Sequence, residues 1–141
     1  MNIPIAVQPV FFSELGDGFL EAFGADLAQK LYPFKSMLAA GIKIGGSSDC
    51  PVCKLDPRLG LRDAVLRKSP SGETIGAREA LTMDEAIGLY TQGAAHLSFD
   101  ETRNGTITPG KRADFTVMAA DPRDVKPEAM TVVGGKIVWS A

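Results

Sequence analysis

The stretch from Ala40 to Pro51 constrains the fold more than any other part of this chain of 141 residues. A short apolar run there includes the β-branched Ile42 and Ile44 and stops in the sequence Gly-Gly-Ser-Ser-Asp-Cys-Pro. β-Branched residues favour an extended backbone, glycines let another backbone or a ligand approach closely, and proline cannot continue a strand. The pattern predicts a buried parallel strand that delivers Asp49 at its end, where α/β enzymes place catalytic groups. An aspartate that only caps the next turn would produce the same pattern.

The residues that precede this strand complete a strand–helix–strand unit. Residues 3–10 are typical of a strand, and residues 13–33, with three glycines, are predicted to be a long loop that contains one or two short helical turns. Residues 33–41 have the spacing of a compact amphipathic helix. Strand, helix and strand in this order form a βαβ unit, whose strands are parallel and whose crossover is right-handed.

Two further helices are predicted after Asp49. Residues 59–68 have helical spacing, with Leu61, Val65 and Leu66 facing inward, and the polar residues 69–73 that follow are expected to be exposed. Thr82 precedes Glu85 by three residues, which is the signature of a capping box, and apolar residues recur at helical spacing from there to Ser98.

The last third of the chain changes character. Short β-prone runs are separated by Gly, Pro and Asp, and Gly134-Gly135 between two of them indicates a two-residue hairpin. The predicted strands are residues 105–107, 113–118, 130–133 and 136–139. We therefore divide the chain into residues 1–100, which carry the parallel unit, and residues 101–141, which carry a small antiparallel sheet.

Composition and charge exclude several classes of protein. Fifteen Lys and Arg against 17 Asp and Glu give a formal charge of −2 without a basic block, so neither nucleic acid nor a membrane surface is an expected partner. No run approaches the ~18 consecutive apolar residues of a membrane span, and residues 1–4 lack the pattern of a signal peptide. The expected compartment is the cytoplasm.

Cysteine and histidine offer weaker signals. Cys50 and Cys53 have the spacing of a redox pair or of half a zinc site, but there is no second cysteine pair, and ordinary thiols are the third interpretation. The sequence has one histidine, His96, near the end of the capped helix, where a packed or surface histidine is expected.

Four features in fixed order give the chain a family resemblance. They are Gln8-Pro9 at the end of one strand, Gly46 to Asp49 at the end of the next, the helix that starts at residues 81–86, and the run Gly-Thr-Ile-Thr-Pro-Gly-Lys-Arg-Ala-Asp-Phe at residues 105–115. Together they resemble the carboxy-terminal portion of the metal-dependent amidohydrolase superfamily, and most closely amidohydrolase family 3. The resemblance covers essentially the whole chain.

The resemblance implies a fold and one site residue. It makes this chain part of a (β/α)8 TIM barrel, namely its last two βα units, followed by a piece of a small antiparallel β-sandwich. Residues 3–10 would be the seventh strand, and Asp49, at the end of the eighth, would bind the metal or act as general base on the attacking water. Zinc is the divalent metal most expected. The histidines of the first, fifth and sixth strands and the bridging ligand of the fourth have no counterpart here, so this chain alone is expected to hold no metal.

Other positions match the family less specifically. Arg67 lies where members often have an arginine, either in contact with substrate or on a solvated helix face. Lys111 and Asp114 are expected to anchor the start of a strand by hydrogen bonds, while Phe115 and Val117 of that strand point inward.

Three functions follow. The first is a fragment of a hydrolase that cleaves carbon–nitrogen bonds other than peptide bonds in small molecules through a metal-activated water, inactive as this chain alone. The alternative is a non-catalytic module for assembly or small-molecule binding on the same scaffold. A Cys-x-x-Cys redox or zinc module is the third. Two parallel strands leave both sheet edges unpaired, so we expect a homo-oligomer or a missing amino-terminal barrel portion to cover them.

Overall fold

The computed structural model describes residues 3–121 and 128–141. Within these residues, no helix combines the length and the apolar character needed to cross a bilayer. The elements in chain order are β1 (Ile5–Val7), α1 (Phe11–Ala28), α2 (Phe34–Ala39), β2 (Ile44–Gly46), α3 (Pro57–Leu66), a 3₁₀ turn (Ala77–Glu79), α4 (Met83–Gly88), a π-helical segment (Leu89–Gly93), α5 (Ala94–Leu97), β3 (Phe115–Met118), β4 (Glu128–Val133) and β5 (Lys136–Ser140).

The first two strands form the parallel pair that the sequence predicts. Ile5 lies opposite Ile44 and Val7 lies opposite Gly46. Helices α1 and α2 connect the strands, and the apolar core packs around them. Its fully or nearly fully buried members include Val7, Phe12, Phe34, Ile44, Leu61, Ile75 and Leu89. The βαβ unit is therefore present.

The long loop predicted for residues 13–33 is wrong over most of its length. Residues 11–28 form α1, with a kink at Gly24, where φ is 73°. Gly16 is buried, and a Cβ there would lie 2.8 Å from the Cβ of Ser69. Glycine is needed at this position for close packing rather than for a loop. The same contact buries Ser69. The prediction that residues 69–73 are all exposed is therefore wrong for Ser69.

The predicted capping box starts α4. The Thr82 hydroxyl accepts the Glu85 N–H at 3.2 Å, and the Glu85 carboxylate accepts the Thr82 N–H at 2.8 Å. The helix then widens into the π-helical segment, which packs directly on β2: a Cβ on Gly93 would lie 2.2 Å from the carbonyl oxygen of Ile44. In α3, Leu61 is buried as expected, but Leu66 is exposed because it lies on the outer side of the last turn.

Strands β3, β4 and β5 form an antiparallel sheet in that order. The hairpin predicted at Gly134-Gly135 is confirmed, with both glycines at positive φ. Residues 105–107 are not a strand, and Ile107 is exposed. Phe115 and Val117 are also exposed rather than inward-facing, because β3 is an edge strand of this sheet. The division at residue 100 stays a prediction.

Candidate functional site

The carboxyl ends of β1 and β2 are joined by a polar contact. Gln8 follows β1 and Ser47 follows β2, and the Gln8 side-chain amide donates to the Ser47 hydroxyl at 3.0 Å. The Ser47 N–H donates to the Val7 carbonyl at 2.8 Å. The chain that leaves β2 is therefore held against β1 for one residue beyond the strand itself.

Asp49 lies three residues beyond β2, at the carboxyl end of the parallel pair. Its side chain is exposed, its φ is 54°, and its carbonyl accepts the Val52 N–H at 2.8 Å. Aspartate is among the few residues that adopt this left-handed conformation readily. The tight turn thus presents the carboxylate at the end of the sheet, where the sequence places it; its catalytic role stays a prediction.

Tyr32 borders the same end of the sheet, although the sequence analysis did not single it out. Its ring makes an edge contact with Phe12 at a centroid distance of 5.7 Å, and Phe12 lies in the first turn of α1, just after β1. Burial raises the pKa of the Tyr32 phenol, and the negative charge of Asp49 raises it further. The hydroxyl therefore remains a hydrogen-bond donor near Asp49 at neutral pH.

The two cysteines are free thiols with different surroundings. Cys50 is exposed, whereas Cys53 is buried beside Glu14 of α1. Burial raises the pKa of the Cys53 thiol, and the Glu14 carboxylate, which accepts a hydrogen bond from it, raises it further. The Lys54 ammonium lies 3.7 Å from Glu14. A thiol held protonated is a poor redox nucleophile, so this geometry favours the ordinary-thiol interpretation.

Arg67 fits neither of its two expected roles. The residue is fully buried, so it is neither on a solvated face nor open to a substrate. Its guanidinium donates to the carbonyls of Ile75, Tyr32 and Leu31 at 2.6, 3.1 and 2.9 Å and lies 4.1 Å from the centroid of the Phe12 ring. Arg67 is thus a structural residue that holds the loop carrying Tyr32.

His96 lies away from Asp49. It lines a groove of about 490 Å³ together with Ile42 and Lys43, which precede β2, and its Nδ1 is 3.4 Å from the Glu101 carboxylate. The groove is on the amino-terminal side of β2, whereas Asp49 follows the carboxyl end. The expectation of a packed or surface histidine agrees with this half-buried position.

The donors of the described residues do not fit a complete catalytic metal centre. Across residues 3–121 and 128–141, no three His, Cys, Asp or Glu side chains are grouped so that they could hold a metal ion. A catalytic zinc takes about three protein ligands and keeps one open position. Asp49 can supply one carboxylate to such a centre.

Comparisons with known proteins give a consistent result. The family model described as "Amidohydrolase family" matches residues 1–139. The chain is 35% identical over 149 residues to the putative amidohydrolase YtcJ of Bacillus subtilis (strain 168), covering 99% of this chain and 28% of that protein. It is 39% identical over 95 residues to the N-substituted formamide deformylase of Arthrobacter pascens, covering 67% of this chain and 18% of that protein.

A solved structure agrees with these relatives. An uncharacterized metal-dependent hydrolase from Pyrococcus horikoshii OT3 superimposes with a TM-score of 0.72 at 28% identity, over 86% of this chain and 25% of that one. The matches therefore span between about a fifth and just over a quarter of the length of these proteins.

Proposed function

Because this chain belongs to the amidohydrolase family, we propose that it forms the closing part of a metal-dependent hydrolase that cleaves non-peptide carbon–nitrogen bonds in small amide-type molecules. The observation that carries the proposal is the position of Asp49, exposed just beyond the carboxyl end of a parallel strand pair. Enzymes with parallel sheets place their reacting groups at this end of the strands. In this proposal, residues 1–100 are the last two βα units of a TIM barrel and residues 101–141 are part of a β-sandwich.

Asp49 acts as the general base in this proposal. Its carboxylate takes the proton of the water that attacks the carbonyl-like carbon, and its exposure leaves room for both water and substrate. The turn closed between Asp49 and Val52 and the contact between Gln8 and Ser47 fix its direction. The zinc that would activate this water needs further ligands, which lie outside the described residues of this chain.

The site is therefore completed by other polypeptide. We propose that this chain alone neither retains zinc nor turns over an amide, and that it acts in the cytoplasm once its open strand edges are covered. Zinc analysis and an assay of formate release from an N-substituted formamide test the first part. Stoichiometric zinc together with rapid turnover by the isolated chain would refute it.

A chimera tests the role of Asp49. In the Arthrobacter deformylase, the segment that matches this chain is replaced by the corresponding residues of this chain, with Asp49 intact or as Asp49→Asn. We expect Asp49→Asn to lower kcat/KM by about 10²–10⁴-fold, the range for loss of a general base. Asp63 is buried and unsuitable as a control, so the matched control is Asp84→Asn on the exposed side of α4. Equal losses in both variants would refute the assignment.

A non-catalytic assembly module is the second candidate, because the three-stranded sheet exposes apolar side chains such as Ile137 and Trp139. The coding DNA before Met1 distinguishes the two. An open frame that encodes a His-x-His pair and later single histidines supports the hydrolase, whereas a stop codon with no such segment nearby supports the module.

A further inference from the structure

The Tyr32 side chain is packed inside a cluster of aromatic rings. Its ring contacts four other aromatic rings at centroid distances of 5.7–6.2 Å, contributed by Phe11, Phe12, Phe19 and Phe34. Two of these rings belong to the first turn of α1, directly after the carboxyl end of β1. The phenol is therefore fixed at the same end of the sheet as Asp49.

The backbone of Tyr32 is held in an unfavourable conformation. Its φ is 51°, in the left-handed region that bulky side chains rarely adopt. The Tyr32 carbonyl accepts the Phe34 N–H at 2.8 Å and the Arg67 guanidinium at 3.1 Å. Arg67 is fully buried and donates to carbonyls, and such burial of a charge is costly. Strain of this kind, maintained by costly contacts, is concentrated at functional sites.

The hydroxyl at the end of this rigid ring is not tied to another part of the described chain. Among the described residues, no hydrogen bond engages it, although the residue is only half buried. Phenylalanine would fill the same aromatic cluster equally well, so packing does not require the oxygen. A fixed donor at the same end of the sheet as the Asp49 carboxylate is able to bind an acceptor oxygen.

We propose that Tyr32 is a substrate-binding residue, whose hydroxyl donates a hydrogen bond to the carbonyl oxygen of a small amide bound beside Asp49. The role as a substrate contact rests on the proposed function, whereas the amide-binding site itself does not. The two residues divide the work between them, since Tyr32 holds the acceptor oxygen and Asp49 faces the carbon to be attacked. Because the ring cannot move freely, little ordering is needed when the ligand binds.

Acetamide is the probe for this site in the isolated chain. The sequence has two tyrosines, Tyr32 and Tyr90, so ring-¹³C-tyrosine labelling gives two sets of NMR signals, which a Tyr90→Phe variant assigns. We expect acetamide to shift the Tyr32 signals saturably and to leave those of Tyr90 unchanged. A linear, unsaturated response of Tyr32, or the same response at both tyrosines, would overturn the proposal.

The Tyr32→Phe variant isolates the hydroxyl. We expect the affinity for acetamide, measured from the NMR shifts of the Asp49 and Cys53 backbone amides, to fall about threefold to tenfold. This is the effect of losing one neutral hydrogen bond. Tyr90→Phe is the matched control and should retain full acetamide affinity. Unchanged affinity in Tyr32→Phe would overturn the proposal, and an unchanged far-UV circular dichroism spectrum shows that the variant is folded.

The same variant in the deformylase chimera separates the two proposals. Tyr32→Phe should raise KM more than it lowers kcat, because it removes a binding contact. If Asp49→Asn leaves the chimera fully active while acetamide still binds at Tyr32, the proposed function fails and the amide site stands. If Asp49→Asn abolishes activity while Tyr32→Phe changes neither KM nor acetamide affinity, the proposed function stands and the role of Tyr32 fails.

Discussion

Arg67 shows at the scale of one residue how this chain uses a charge for structure. Burial lowers the pKa of its guanidinium to about 10, and the negative charge of Glu79 offsets part of this effect. The guanidinium fork reaches carbonyls of the 31–32 loop and of residue 75, which belong to parts of the chain far apart in sequence. One side chain thereby joins the loop that carries Tyr32 to the segment that follows α3.

Removal of Arg67 should therefore destabilise the whole chain. We expect Arg67→Ala to lower the free energy of unfolding by about 2–6 kcal/mol, since the Leu31 and Ile75 carbonyls lose their partner and each buried carbonyl left unpaired costs about 1–3 kcal/mol. Arg67→Lys should lose less, because it keeps the charge but not the planar fork. Urea denaturation measures both, and the exposed Arg78→Ala is the control, expected within about 0.5 kcal/mol of wild type. Equal stability of the Arg67 and Arg78 variants would contradict this role.

Sequence reasoning located the positions of residues whose neighbours in the chain define them, whereas the catalytic role of Asp49 stays a prediction. Asp49 was found because a β-branched run, two glycines and a proline surround it, and Thr82 because its partner Glu85 is three residues away. Tyr32 and Arg67 depend on contacts 35 residues apart, for which the local sequence has no signature. The aromatic cluster around Tyr32 and the burial of Arg67 are visible only in the packed structure.

At the scale of elements, two glycines in one helical stretch differ in whether a side chain would fit at their position. Gly88 and Gly93 both have helical backbone angles. A Cβ at Gly88 would meet nothing within 4 Å, whereas a Cβ at Gly93 would lie 2.2 Å from the Ile44 carbonyl oxygen. We expect Gly88→Ala to stabilise the chain by about 0.5–1 kcal/mol, the usual helical preference for alanine. Gly93→Ala should destabilise it by about 1–3 kcal/mol, because the helix must move away from β2.

Thermal or urea denaturation of the two variants checks this prediction, with each serving as the control of the other. A stabilising Gly93→Ala would mean that the π-helical segment does not pack on β2 as closely as described.

The same close packing explains the error in α1, where glycines were interpreted as loop signals. Gly16 is a packing position against Ser69, and only Gly24, at positive φ, bends the helix. Composition alone does not distinguish these two uses of glycine.

At the scale of the whole molecule, apolar side chains of the described residues are exposed both in the connection between the two sheets and on β5. Phe99 is 82% exposed and Ile107 is 93% exposed in the connection between the two sheets. On β5, Ile137 and Val138 are about 60% exposed and Trp139 is also exposed. Exposed apolar side chains grouped on one edge strand are typical of an interface. The open edges of the parallel pair add unpaired backbone groups, which favour further strand pairing.

We therefore predict that the isolated chain associates and that β5 contributes to the association. Size-exclusion chromatography with light scattering should show a dimer or larger species, and an Ile137→Lys/Trp139→Lys variant should shift it toward the monomer, because lysine on a strand edge opposes pairing. The matched control is Ala40→Lys/Thr108→Lys, which adds the same charge at exposed positions outside β5. This control should associate like wild type. A monodisperse wild-type monomer would contradict the prediction. An equal shift in both lysine variants would assign the effect to net charge rather than to β5.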